Sequence, residues 1–428
     1  MSPASAAASQ LEWAAGQDAA DPLASLRDAF LIPRHDDAEV AYFCGNSLGL
    51  QPRATRTALL AELDAWAEHG VEGHFRGELP WMDYHRFVRE DLAAVVGAQP
   101  DEVVAMNSLT ANLHFLMVSF YRPSAERPAI LIEKNAFPSD RYAVESQIRF
   151  HGFDPADALI ELEGDEAGGT LSQDAILEAL DRHGPRIALV LLPGVQYLTG
   201  QAFDLRAITE AAHRKGCVVG FDLAHAAGNL PLALHDTHCD FAVWCSYKYL
   251  NSGPGAVAGA FVHERHAHTP RPRFAGWWGH DRTTRFRMGP EFVPTPGADG
   301  WQLSNPPVLA LAPLRISLSL FREAGMAALR AKSEALTGYL AWLIRSELSD
   351  LLDILTPYDP ARRGCQLSLR VRGPRDSGRS LFEYLQARGI IVDWREPDVI
   401  RASPVPLYNR HVDCLRLVEG VKAWRERD

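Results

Sequence analysis

Three shortages narrow the reading of this chain at once. Its six cysteines (Cys44, Cys217, Cys239, Cys245, Cys365, Cys414) are scattered, with no C-x-x-C pair and no zinc-type spacing. That argues against a disulfide framework or a cysteine-held metal, and reduced thiols and no metal are expected. Long apolar runs are missing too. Ile187–Leu192 is typical, far short of the roughly 20 residues that span a bilayer. The first residues, MSPASAAASQLEWAAGQDAADP, have neither the basic region nor the continuous apolar region of a secretory signal. Positive charge is also scarce. A net charge of −11 argues against nucleic acid as the main partner and favours solubility. The expectation is a soluble cytoplasmic protein with no membrane and no nucleic-acid partner.

What is present is an ordinary globular composition, 47% apolar and 23% charged over 428 residues, enough for a large domain and a smaller companion. Residues 1–50 read as an N-terminal arm, Ala-rich in its first twenty or so positions. Apolar positions at helical spacing (Leu59, Leu60, Leu63, Trp66) predict an amphipathic helix over residues 56–69. From about residue 100 to 265, EVVAMN, AILIE, ALVLLPG, CVVGFDLAH and FAVWCSYK read as buried strands. LSQDAILEALDRH and DLRAITEAAHRKG supply helices between them. Alternating strand and helix predicts an α/β fold, a mostly parallel central sheet with helices on both faces. Residues 266–308 are rich in Pro, Gly, Arg and Trp and read as extended loops. A long helical section then runs past residue 347, followed by short strands and one helix. This gives a large domain over 51–308 and a smaller α+β C-terminal domain over 309–428. No internal repeat is seen.

In such sheets ligands bind beyond the carboxyl ends of the strands, so the polar residues ending the apolar runs are the ones to inspect. NSLTANLH (107–114), NAFPSD (135–140), GFDLAHAAG (220–228) and SYKYLNSGPG (246–255) stand out. Alone, Asp222 would be a helix cap and Lys248 a surface lysine. Together, with His225 between them and a Gly-rich turn behind the lysine, they resemble the constellation of pyridoxal 5′-phosphate (PLP) enzymes of fold type I. The residue types suit that chemistry. A lysine supplies an amine that reacts with an aldehyde, and an aspartate steadies a protonated pyridine ring. Thr110 and a helix start in NSLTANLH offer donors to a phosphate, and Phe137 offers a ring to stack.

The strings YFCGNSLGLQP (42–52), LPGVQYLTGQ (192–201), FAGWWGH (274–280), QLSNPPVL (302–309) and IRASPVPLYN (400–409) narrow the resemblance to the kynureninase family, over nearly the whole chain. That resemblance implies a PLP-dependent hydrolase of tryptophan catabolism. Its reaction cleaves the Cβ–Cγ bond of L-kynurenine or 3-hydroxy-L-kynurenine, giving anthranilate or 3-hydroxyanthranilate and L-alanine. It also implies a homodimer with shared active sites. Lys248 resembles the Schiff-base lysine and the base that moves the α-proton. Tyr247 is similar to the tyrosine that contacts the phosphate and assists proton transfer, and Asp222 to the partner of the pyridine nitrogen, with His225 near the ring. The cofactor shell is completed by Leu109 and Thr110 at the phosphate, by Phe137, Pro138, Ser139 and Asp140 against the ring, and by Trp277 and Asn305 from the second subunit. Pro193 stands where some relatives carry a serine beside the cofactor. For substrate, Arg401 resembles the arginine that binds the α-carboxylate, whose shape a guanidinium fork matches. Ser47, His74 and Asn305 match residues near the aromatic end. Tyr247 and His74 are both candidates for acid–base work at the γ-carbonyl. The alternative is another fold-type-I enzyme, an aminotransferase or a cysteine desulfurase-like protein, although none of the six cysteines stands in a recognisable catalytic loop for the latter.

Overall fold

The computed structural model describes residues 3–164, 166–374 and 376–427. Its centre is a seven-stranded sheet built from β1 (Val103–Ala105), β2 (Ala129–Glu133), β3 (Leu159–Leu162), β4 (Ile187–Pro193), β5 (Val218–Asp222), β6 (Phe241–Trp244) and β7 (Gly259–Val262), in the order β1-β7-β6-β5-β4-β2-β3. All neighbours are parallel except β7, which runs antiparallel to both β6 and β1. Each strand alternates its side chains between two cores. Val190 and Leu192 join one and Leu189 and Leu191 the other, so the strands read as continuous apolar runs because both faces are covered.

The expected strands and helices form, and the structure adds two strands that the apolar-run reading passed over. One is β3, whose four residues are only half-buried. The other is β7, four residues after a Gly-rich stretch. The long helical section divides at Gly325 into Val308–Ala324 and Met326–Glu347. Leu311, Leu314, Leu318 and Phe321 of its first half pack into the main core, and the second half packs into the C-terminal core. That C-terminal core backs a four-stranded antiparallel sheet made of Leu352–Ile354, Leu367–Val371, Val399–Ala402 and Asp393–Arg395. Ala41–Tyr42 of the N-terminal segment pairs with Ile390–Ile391, which ties the first fifty residues to this domain. Among the described residues no helix is long and apolar enough to cross a membrane.

The helix expected at 56–69 is present as Thr55–His69, but it is turned the other way. Leu60, Leu63 and Trp66 face outward, with Trp66 61% exposed, while Glu62 is buried. The cause is polar. Glu62 accepts hydrogen bonds from Trp81 Nε1 and Tyr84 Oη, and a buried carboxylate must be satisfied. The helix therefore presents an apolar stripe to its surroundings.

Close approach fixes one strand residue. A Cβ at Gly259 would lie 2.2 Å from the Trp244 indole on the adjacent strand, so the ring lies flat over β7 where any side chain would be. Gly259→Ala is expected to lower stability by about 1–3 kcal/mol through overpacking, read as a lower urea midpoint at unchanged slope.

Candidate active site

The carboxyl edge of β2, β4, β5 and β6 brings the sequence motifs into one pocket. Leu109, Thr110, Phe137, Ser139, Asp140, Asp222, His225, Tyr247 and Lys248 line it together with Glu133, Pro193, Val195, Tyr197 and Ala224. Asp222 is the last residue of β5 and Lys248 lies in the turn four residues beyond β6. Behind it, Gly253 and Gly255 both adopt positive φ, a conformation easiest for glycine. The GNSLGL motif holds this turn in place. Gly49 N donates to Tyr247 O (2.8 Å), and a Cβ at Gly49 would meet Lys248 O at 2.3 Å. Gly45, in the same motif, packs as closely against Val405 and Tyr408 of IRASPVPLYN.

Lys248 Nζ is 2.9 Å from His225 Nε2 and lies 5.9 Å from the centre of the Phe137 ring. Burial, followed by the charges of Lys248, Arg401 and Arg395, pushes the His225 pKa well down. The neutral imidazole accepts from the ammonium, and its Nδ1 is buried without a partner. Asp222 accepts a hydrogen bond from Ala224 N (2.6 Å) and meets the carboxyl of Asp140. Burial raises both carboxyls, Asp140 further because Asp222 faces it. Asp140 Oδ1 is buried and unpaired. Two carboxyls in a dry site share a proton unless a cation joins them. Burial lifts the pKa of Tyr247 as well, with its hydrogen bond to Cys245 adding to the effect.

Two helices begin at the pocket. Leu109 and Thr110 open Leu109–Phe120, where free N–H groups and the helix dipole favour an anion. Thr110 Oγ1 lies 2.8 Å from Ser139 Oγ at the start of Pro138–Phe150. Pro138 takes the first helical position, where its missing N–H costs nothing. It points to the surface and does not line the pocket.

Arg401 is 1% exposed. Asp393 grips it through Nε (3.3 Å) and Nη2 (2.8 Å), and Nη1 donates to Tyr197 O (2.7 Å). Tyr197 in turn sets its ring edge-on to Phe137 at 5.3 Å. The loop around Tyr197 is clasped by the C-terminal domain. Gln366 Nε2 donates to Tyr197 O (3.0 Å), Ser368 Oγ to Leu198 O and Thr356 Oγ1 to Thr199 O (2.6 Å). Arg401 and Pro138 are not among the residues that line the pocket, and four further expected residues also lie outside it in their own chain. Trp277 is half-exposed and donates to Arg285 O, and Asn305 is exposed. His74 Nδ1 bonds to Val71 O and its ring stands edge-on to Trp81. Ser47 N closes a turn onto Cys44 O.

The sequence reading missed Glu133, Val195, Tyr197, Ala224 and the Arg401 partner Asp393. Glu133 ends the run AILIE and Tyr197 follows ALVLLPG, so the strand-end rule would have found both.

These features define a class. A lysine facing a buried aspartate pair, an aromatic wall and a helix N-terminus suit an aldehyde-bearing cationic ring with a phosphate. The unpaired Asp140 Oδ1 and His225 Nδ1 leave acceptor and donor capacity for it. Among solved structures, the fold matches the cysteine desulfurase CsdA from Escherichia coli with a TM-score of 0.76 and 18% identity, covering 94% of this chain and 98% of that one. It also matches the lyase C-DES carrying glycine covalently linked to its PLP cofactor, with a TM-score of 0.71 and 19% identity over 89% and 97% of the two chains. The protein therefore has the fold of these enzymes, one of which carries pyridoxal 5′-phosphate.

Sequence relatives narrow this further. Kynureninase of Xanthomonas campestris pv. campestris (strain B100) is 66% identical over 411 residues, 96% of this chain and 97% of the relative. That of Stenotrophomonas maltophilia (strain K279a) is 65% identical over 408 residues, 95% and 96% of the two chains. Residues 329–421 match the kynureninase C-terminal domain. The chain belongs to the kynureninase family. At 18% identity the likeness to a desulfurase is one of fold alone, and all six cysteines are buried. The alternative enzyme classes are not favoured.

Glu133 makes a measurable contribution of its own. Burial, with Asp222 adding to it, pushes its carboxyl up to about 8, against about 4.3 in an unfolded chain. A raised carboxyl stabilises the fold below the unfolded pKa, and that contribution is lost as pH rises through the folded value. In cofactor-free protein, stability is expected to fall between pH 5 and 8.5, and Glu133→Gln to flatten that slope, as measured by urea unfolding across the range.

Proposed function

We propose that this chain hydrolyses the Cβ–Cγ bond of L-kynurenine or its 3-hydroxy form, releasing anthranilate or 3-hydroxyanthranilate together with L-alanine. One observation carries the residue assignment: Lys248 and the Asp140–Asp222 pair face a single pocket beneath Phe137. The cofactor, when bound, supplies an electron sink for negative charge on the substrate carbon. Lys248 provides the amine that anchors the cofactor and then carries the α-proton. Asp222, backed by Asp140, keeps negative charge at the ring nitrogen. Thr110, Ser139 and the first turn of Leu109–Phe120 bind the phosphate. Neutral His225 holds the Lys248 amine in position without adding positive charge. Arg401, fixed by Asp393, offers its remaining N–H groups to the α-carboxylate. Tyr247, which lines the pocket, exchanges a proton at the γ-carbonyl oxygen in this reading, a role for which His74 of the neighbouring chain is the other candidate.

The proposal includes a homodimer with shared sites. The outward stripe Leu60, Leu63 and Trp66 supports it, since contiguous exposed apolar surface marks association. Trp277, Asn305 and His74 would then reach the neighbouring pocket. It also retains division at residues 50 and 308, with the Val308–Ala324 helix packed on the large domain. A cytoplasmic location is in keeping with six unpaired cysteines.

The test is to incubate PLP-loaded protein separately with L-kynurenine and 3-hydroxy-L-kynurenine and quantify both products. Equal amounts of aromatic acid and alanine are expected, and no alanine from either substrate would refute the reading. Lys248→Ala is expected to abolish turnover and the visible absorbance of lysine-bound cofactor together. Arg401→Ala is expected to raise KM by tenfold or more, as loss of a charge-assisted contact of about 1.5–3 kcal/mol implies, with PLP affinity little changed. Steady-state kinetics and cofactor titration separate the two effects.

A further inference from the structure

At the edge of the central sheet opposite Lys248, three loops bring Glu102, His235 and His263 together. Glu102 leads into β1, His263 follows β7, and His235 lies in the turn Leu234–Thr237. One ligand atom from each lies within 4.8 Å of the others. His235 Nδ1 is 3.1 Å from both Glu102 carboxylate oxygens, and His263 Nδ1 is 3.7 Å from Oε1. Such separations suit three ligands around one ion at about 2.0–2.2 Å.

The surroundings prepare these atoms for a cation. Gln99 N and Glu264 N each donate to Glu102 at 2.8 Å, which fixes the orientation of its side chain. His263 Nε2 lies 3.2 Å from His235 O and 3.1 Å from His238 Nδ1. The Nδ1 lone pair, which accepts a hydrogen bond from Arg265 N at 3.2 Å, is exchanged from that N–H to the ion on binding, and a proton on Nε2 satisfies the His235 carbonyl. An outer hydrogen bond of this kind orients metal-bound histidines. Nearby Arg265 is committed elsewhere, to Asp240 (2.7 Å) and His238 O (2.7 Å). Glu102 also lines an open cavity of about 870 Å³.

We propose that Glu102, His235 and His263 form a structural site for a divalent cation of the zinc class, with water completing the shell. Two imidazoles and one carboxylate suit Zn²⁺ over Mg²⁺ or Ca²⁺, which prefer all-oxygen shells. The ligands come from histidines, so the absence of cysteine spacing in the sequence does not bear on this site. The ion pins the start of β1 to the end of β7, and binding to the folded state alone stabilises the fold.

The experiment uses untagged, PLP-saturated protein stripped of metal by dialysis against a chelator, so that the Lys248 pocket stays filled. Calorimetric titration with Zn²⁺ is expected to give one saturable event per chain and a higher Tm, with kcat for the aromatic product unchanged. Co²⁺ in its place is expected to give visible bands of imidazole coordination. His235 is partly exposed, so His235→Gln leaves the core intact and is expected to remove the event, while His238→Phe weakens it about tenfold. No saturable binding to the wild type, or equal binding by His235→Gln, overturns the proposal.

Discussion

Two carboxyl groups pressed together in a dry pocket cannot both keep their charge unless something positive joins them. Asp140 and Asp222 are in that position, and much of the active-site architecture follows from it. β5 must end at Asp222, and the helix from Pro138 must begin where Asp140 meets it. Lys248 must reach the pocket from the far side of the next strand without neutralising the pair directly. His225 stands between, bonding to the amine while burial keeps its own ring uncharged. The site is thus organised around a pair of carboxyls that a cationic group would stabilise.

The same constraint explains why the chain invests so many motifs in one turn. GNSLGL carries no reactive group at Gly45 or Gly49, yet both glycines are places where backbone or side chains from distant segments nearly touch. Gly49 seats the Lys248 turn and Gly45 seats the segment after Arg401. A lysine free to wander would be an ordinary surface amine. Held by the Gly49 backbone, its amine is directed at one point in the pocket.

The strands and the site chemistry were legible because burial on both faces of a sheet leaves unbroken apolar runs, and function gathers where those runs stop. Lys248, Asp222 and His225 could be picked out on that ground. The expected helix at 56–69 also formed, but its orientation could not be read from spacing. Glu62 is recognised as buried only once Trp81 and Tyr84 are known to bond to it. β3 and β7 escaped because four half-buried or Gly-flanked residues carry too little pattern. Tyr197 and Asp393 were missed for another reason. Their roles lie in what they hold, and such roles depend on contacts 204 and 8 positions along the chain, here Tyr197 with Arg401 and Asp393 with Arg401.

Three successive carbonyls, those of Tyr197, Leu198 and Thr199, are taken up by side chains of the C-terminal domain. The ring of Tyr197 meanwhile forms part of the pocket wall beside Phe137. The width of the cleft and the pose of the C-terminal domain are therefore one mechanical variable. Evolution could retune the fit of an aromatic substrate from Thr356, Gln366 or Ser368, as if turning a screw mounted outside the chamber.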